Sequence, residues 1–221
     1  MSDASPFPKA PWPRPLPLPL TGHFVTLTPL DADADAAELF AISHRDEETK
    51  LLWRYLASGP FPDASAHAAY LREWTARPDV LAFTVRSTAT REALGNISLM
   101  AIRPEHGVAE LGNIWYAPHA RRTKANTEAS YLLLRHCFAE LGYRRMEWKC
   151  NTDNEPSARA ARRLGFTYEG TFRQHMVVKG RSRDTAWFAM LDHEWPRFAA
   201  AMEHWLYTDD TRSLASLREN T

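Results

Sequence analysis

Three cations, Arg121, Arg122 and Lys124, stand just ahead of an apolar-striped run in the stretch APHARRTKANTEASYLLLRHCFAELG. The run reads as a helix over roughly Asn126 to Leu141, and cations normally favour the other end of a helix. What that helix start holds is the first chemical question the sequence poses. Other reactive types are sparse. Glu110 sits early on the strand that leads to this loop and is a candidate general base. His175 has a pKa suited to proton transfer, although a lone strand histidine is usually structural. His119 borders the cationic loop and reads as a surface residue or anion contact. No His/Cys spacing or acidic cluster suggests a metal, and no Ser–His–Asp or Cys–His arrangement is supported.

Several elements must position these groups. HFVTLTPL (23–30) reads as a strand, DADADAAELFAIS as a helix with acids in its first turn, and LLWRYL as a short helix before a loop. Trp53 falls in that short segment. SAHAAYLREWTAR is a helix with Tyr70, Leu71 and Trp74 along one face. VLAFTVRS, ALGNISLMAI and VAELGNIWYA follow as strands, the last two joined through RPEHG as a hairpin. After the long helix, with Leu133, Leu134, Cys137, Phe138 and Leu141 as its stripe and Gly142 as its stop, comes the strand YRRMEWKC. NEPSARAARRLG is a short helix capped by Asn154, FTYEGTFRQHMVVKG and RSRDTAWFAML are two strands, and EWPRFAAAMEHWL is a closing helix. Hairpins imply antiparallel pairing and the strand–helix–strand crossover implies a parallel pair. The expected architecture is α/β (α+β): a mixed, mostly antiparallel central sheet with helices on both faces.

With 221 residues, 44% hydrophobic and 24% charged, the chain can bury a full core as one domain with extensions. The division expected is a Pro-rich extended arm over 1–20, a central domain over 21–206 and a polar tail over 207–221. The arm has no basic n-region or continuous apolar core, so an export signal or membrane span is not expected. Cys137 and Cys150 lie in apolar segments and read as reduced, buried thiols, which fits a cytoplasmic setting. A formal net charge of zero argues against nucleic acid as a partner. The arginines at 159, 162, 163, 181 and 183 lie on separate elements, without interleaved aromatics.

The element order, with IWYAPHARRTKANTEA before a long helix and NTDNEPSARAARRLGFTYEG before a hairpin around KGRSRD, resembles the GNAT family of acyl-CoA-dependent N-acetyltransferases. The resemblance spans about Leu20 to Pro196 and is nearest the RimJ/RimL branch, which acetylates N-termini of ribosomal proteins. It implies acetyl-CoA as cosubstrate, no metal, and a primary amine of a protein N-terminus or small molecule as acceptor. The loop and first helical turn, Arg121, Arg122, Thr123, Lys124, Ala125, Asn126 and Thr127, are then implied to hold the coenzyme A pyrophosphate. Unpaired N–H groups and a partial positive charge suit that role, and the cations assist. The family's loop glycines fall on Lys124 and Asn126, so a looser hold or a different loop path is expected. The backbone of Trp115 and Tyr116 would pair with the pantetheine arm like an added strand. Asn154 and Ser157 complete the implied cofactor contacts.

For catalysis, the position of the tyrosine acid used by many GNAT enzymes holds Ala161. The RimL-like branch instead implies Ser157 as acid and Glu169 as base, with Glu110 as the further base candidate. The leaving thiol, pKa about 8.5, needs little protonation. Presenting a lysine-type amine neutral at pH 7 costs about 4–5 kcal/mol, whereas an α-amine near pKa 8 costs about one unit. The missing glycines and tyrosine keep open a second reading, a non-catalytic acyl-CoA sensor or regulatory module. A homodimer built through the arm or the closing helix is a further possibility.

Overall fold

The computed structural model describes residues 10–219. In chain order the elements are β1 (Leu20–Thr21), β2 (Val25–Pro29), α1 (Ala32–Ser43), α2 (Glu47–Lys50), α3 (Ala64–Thr75), β3 (Leu81–Ser87), β4 (Ala93–Arg103) and β5 (Val108–Tyr116). After them come α4 (Ala125–Arg135), β6 (Arg145–Asn151), α5 (Glu155–Leu164), β7 (Thr167–Val178), β8 (Arg181–Leu191), α6 (Trp195–Tyr207) and α7 (Leu214–Glu219). A 3-10 turn over Leu51–Tyr55 continues α2, as the LLWRYL segment suggested.

The strands form one sheet in the order β1-β2-β3-β4-β5-β6-β8-β7. Every neighbouring pair is antiparallel except β5 with β6. Alternation along the strands divides the core into two layers. Val25, Leu27, Phe83 and Val85 belong to the main apolar cluster, which includes Ala129, Leu132 and Leu133 of α4. Thr84 faces the other way and donates its hydroxyl hydrogen to Asp35 on α1, 2.6 Å away. Leu39, Trp53, Leu71 and Trp115 make the second cluster on that side. Helices thus cover both faces, as expected.

Local signals account for the helix starts. Asp31 and Asp63 accept from first-turn N–H groups of α1 and α3. Asn154 caps α5 by accepting from Ser157 N at 3.2 Å. Gly165 ends α5 at φ 104, a left-handed stop that leaves no room for a Cβ beside the Phe198 ring.

Three boundaries differ from expectation. The predicted helix over Asn126–Leu141 is α4 followed by a π-helical turn over His136–Glu140. The stretch 207–221 contains α7, whose Leu214 and Leu217 are buried. Two leucines three residues apart signal a helix only once another surface exists to bury them. The arm, of which residues 1–9 lie outside the described range, does not stand off. Trp12 is buried against Gly107 and donates its Nε1–H to Gly142 O at 2.6 Å.

One buried carboxylate ties the termini of this fold together. Glu128, in the first turn of α4 and fully buried, accepts from the backbone N–H groups of His23, Phe24 and Val25 at 2.7–2.8 Å. The Tyr207 hydroxyl donates to it as well, at 2.9 Å. Such a charge is tolerated because donors replace its water and the helix start favours a negative partner.

Candidate active site

β5 and β6 pair only over Val108–Glu110 against Arg145–Glu147, and then part. A bulge in β5 helps to splay them. Asn113 takes φ 48, the register against β4 shifts beside it, and Asn96 Nδ2 fixes its carbonyl at 2.7 Å. The wedge left beyond Glu110 opens into a cleft of about 690 Å³. Trp148, Cys150, Asn154 and Ser157 line it from one side of the sheet, while Tyr55, Tyr70, Trp74, Lys149, Arg183 and Trp187 line it from the other.

Glu110 occupies the last paired position, at the apex of the wedge, and is 5% exposed. Lys149 Nζ lies 2.9 Å from its carboxylate and 3.1 Å from that of Glu147, with the Trp187 ring centroid 3.9 Å away. Burial pushes the Glu110 carboxyl above the ordinary glutamate range, although the Lys149 charge pulls the other way. A carboxyl so placed is a better match for an amine proton than a solvated one. Ser157 accepts from Trp148 Nε1 at 2.9 Å, and its own hydroxyl hydrogen faces the Cys150 sulfur beside the cleft.

Glu169 lies elsewhere. It sits on β7, outside the lining of the cleft, in a bidentate pair with Arg145 at 2.9 and 2.6 Å. That guanidinium holds its carboxyl below the usual range. The structure therefore brings Ser157 and Glu110 to one cleft and leaves Glu169 at the other end of β6.

The loop before α4 takes a path that explains its missing glycines. Left-handed backbone falls on Arg122, at φ 60, not on Lys124 at φ −68 or on Asn126 inside the helix. Thr123 accepts from Ala125 N at 3.2 Å and donates to Ala120 O at 2.7 Å, bracing the turn. The N–H groups of Asn126 and Thr127 fall in the first turn, where helices supply no partner. Arg121 and Arg122 stay exposed beside them, Arg121 donating to Tyr116 O at 3.3 Å. Lys124 turns to the C-terminal end of the chain instead, donating to Leu206 O at 3.0 Å and pairing with Asp210 at 3.1 Å. Of the three cations, two remain at the loop.

Trp115 and Tyr116 end β5 with buried side chains, so only their backbone can serve a ligand. Trp53 is fully buried among Phe61, His67 and Trp115, a wall behind the cleft and not part of its lining. His175 does line the cleft, with Nδ1 3.0 Å from the Thr185 hydroxyl. His119 lies in the short 3-10 turn Pro118–Ala120. Among the described residues, no three His, Cys, Asp or Glu side chains gather as a metal group. Cys137 and Cys150 are free and buried. Sequence reasoning passed over Lys149, Trp187, Arg183 and Asn113. Only the alternation of charged Glu147 and Lys149 with buried Met146, Trp148 and Cys150 hinted that β6 is covered on both faces.

A mixed sheet whose parallel pair opens behind a buried acid, with a helix start and a cationic loop beyond it, is the arrangement expected from the acyltransferase resemblance. Residues 25–167 match the family model "Acetyltransferase (GNAT) domain", and the chain belongs to that family. Among solved structures it is similar to a GCN5-related N-acetyltransferase from Brucella melitensis, with 40% identity, TM-score 0.90, and 95% of this chain and 97% of that one covered. A curated relative, "Putative ribosomal N-acetyltransferase YdaF" of Bacillus subtilis, is 24% identical over 73% of this chain and 88% of its own. Kinship thus lies with the RimJ/RimL-like branch. The microcin C7 self-immunity acetyltransferase MccE, solved with acetyl-CoA and AMP, shares the fold at TM-score 0.67 and 20% identity, over 77% of this chain and 93% of that one. No helix of the described residues is long and apolar enough to cross a membrane.

Proposed function

We propose that this chain transfers an acetyl group from acetyl-CoA to a primary amine, with Glu110 as base and Ser157 as acid. The observation that carries this is the convergence of both side chains on the wedge between β5 and β6. The first turn of α4 and the loop from Arg121 to Thr127 would hold the pyrophosphate, and the open edge of β5 at Trp115 and Tyr116 the pantetheine arm. Acetyl-CoA supplies the thioester. The amine attacks its carbonyl carbon, the new C–N bond forms, and the C–S bond breaks. Glu110 takes the amine proton, Ser157 passes its hydroxyl proton to the departing sulfur, and the proton held on Glu110 returns through solvent to restore the serine hydroxyl. The acceptor would enter from the α1–α3 side, and the cytoplasm is the natural setting for such a reaction.

The test is direct. Acetyl-CoA at about one hundred times its dissociation constant adds about 2.7 kcal/mol, a rise in Tm of roughly 5–10 °C for a chain of this size. Thiol release across an amine panel then reads turnover. A Tm rise with no thiol release from any amine would establish the sensor reading instead.

A further inference from the structure

The acceptor side of the cleft contains a cation, Arg183, that makes no ion-pair contact among the described residues. Arg183 starts β8, and strand alternation places it, Thr185 and Trp187 on one face, the face that Lys149 shares by register with Trp187. Behind them the ionic network closes on itself. Glu110, Glu147 and Glu169 are matched by Lys149, Arg103 and Arg145 in contacts of 2.6–3.1 Å. Arg183 takes no part in it. Its Nε is buried with no partner, and among the described residues it pairs with no carboxylate. Burial pulls its pKa down although the Glu110 charge nearby pulls the other way, so its lost water is only partly offset. Trp187 Nε1 is likewise buried and unpartnered in the same cleft. Glu73, the remaining carboxylate of the lining, is an exposed residue of the α3 wall that forms no ion pair with Arg183.

Leaving a guanidinium in this condition is costly in the free protein and becomes favourable when an anion arrives. We infer that the acceptor is an amine carrying a carboxylate, which Arg183 binds with the Trp187 indole N–H while the amine faces Glu110. This rests on the acetyl-transfer reading and names its substrate class. The same chemistry is offered by a free amino acid and by a peptide whose second residue is Asp or Glu.

Matched acceptors separate these sources. Alanine against alaninamide tests the carboxylate on the amine's own carbon, and Ala-Asp-amide against Ala-Asn-amide tests one a residue further on. Wild-type enzyme is expected to prefer the carboxylate member of one pair by about 10- to 100-fold in kcat/KM, chiefly through KM. Arg183→Gln should bring that preference within about threefold, read as the ratio within each pair so that any loss common to both members cancels, and Arg183→Lys should restore part of it. Equal use of both members in both pairs, or a preference that survives Arg183→Gln, would overturn the assignment and leave acetyl transfer standing. A binding readout covers the reverse case. With coenzyme A present, N-acetyl-Ala-Asp-amide should raise Tm more than its Asn counterpart, and Arg183→Gln should erase the difference. That outcome, with no thiol release from any amine, would retain the carboxylate site and retire acetyl transfer.

Discussion

Glu110 reaches a β6 cation from the adjacent strand β5 and Glu169 reaches one from β7, across β8, yet the sheet treats the two acids in opposite ways. Glu110, on a central strand, is covered on every side and shares the Lys149 ammonium with Glu147. Its carboxyl is pushed up because lost hydration outweighs that one partner. Glu169, on the edge strand β7, keeps much of its water and receives both arms of Arg145, so its carboxyl is held down. Identical side chains are thus pushed toward opposite protonation behaviour. What separates them is depth in the sheet and the geometry of the partner.

Glu110→Gln tests this contrast most severely. Removing the base should lower kcat/KM by about 10²- to 10⁴-fold with a lysine-like acceptor, measured by thiol release on protein whose melting temperature has been checked. A loss below tenfold would remove Glu110 from the chemistry. The pH profile sharpens the same point. Glu110 must be unprotonated to act, and its pKa is raised, so the acid limb of kcat/KM should lie above the ordinary glutamate range and vanish in Glu110→Gln. An unchanged limb in the variant would assign it to another group. Ser157→Ala should cost less, about tenfold, since a thiol near pKa 8.5 departs with little help. Indifference to the acceptor's own pKa would fit that role on the leaving group. Glu169→Gln should be smallest, within about twofold in kcat. Its lowered pKa means that the Arg145 pair stabilises the fold at neutral pH and fades as pH falls through the depressed value. The variant should flatten Tm against pH in that acid range alone, by less than about 1 kcal/mol in stability. A large loss of turnover here would reverse the comparison.

The order of elements and the family resemblance could be read from particular residues. Asp31, Asp63 and Asn154 announce helix starts, Gly142 and Gly165 announce stops, and alternation in YRRMEWKC announces β6. These are local effects, set by side chains within a few positions of the backbone they satisfy. The loop before α4 drew attention through its cations, but its path was not legible. Lys124 looked like a misplaced phosphate ligand because its carbonyl partner at Leu206 and its ion pair at Asp210 lie some eighty residues on. The same distance hid α7, which has a helix's pattern only beside the surface that buries Leu214 and Leu217.

By itself, the chain's sequence determined which segments become helix and strand, that the sheet mixes parallel with antiparallel pairing, and that acyl-CoA chemistry was the family's business. Only the tertiary structure decided which acid faces the cleft, that Arg145 claims Glu169, and that Arg183 lines the cleft with its Nε buried and unpartnered. Secondary structure answers to neighbours along the chain, whereas protonation and ion pairing answer to burial and to charges from distant strands, which only the assembled sheet brings together.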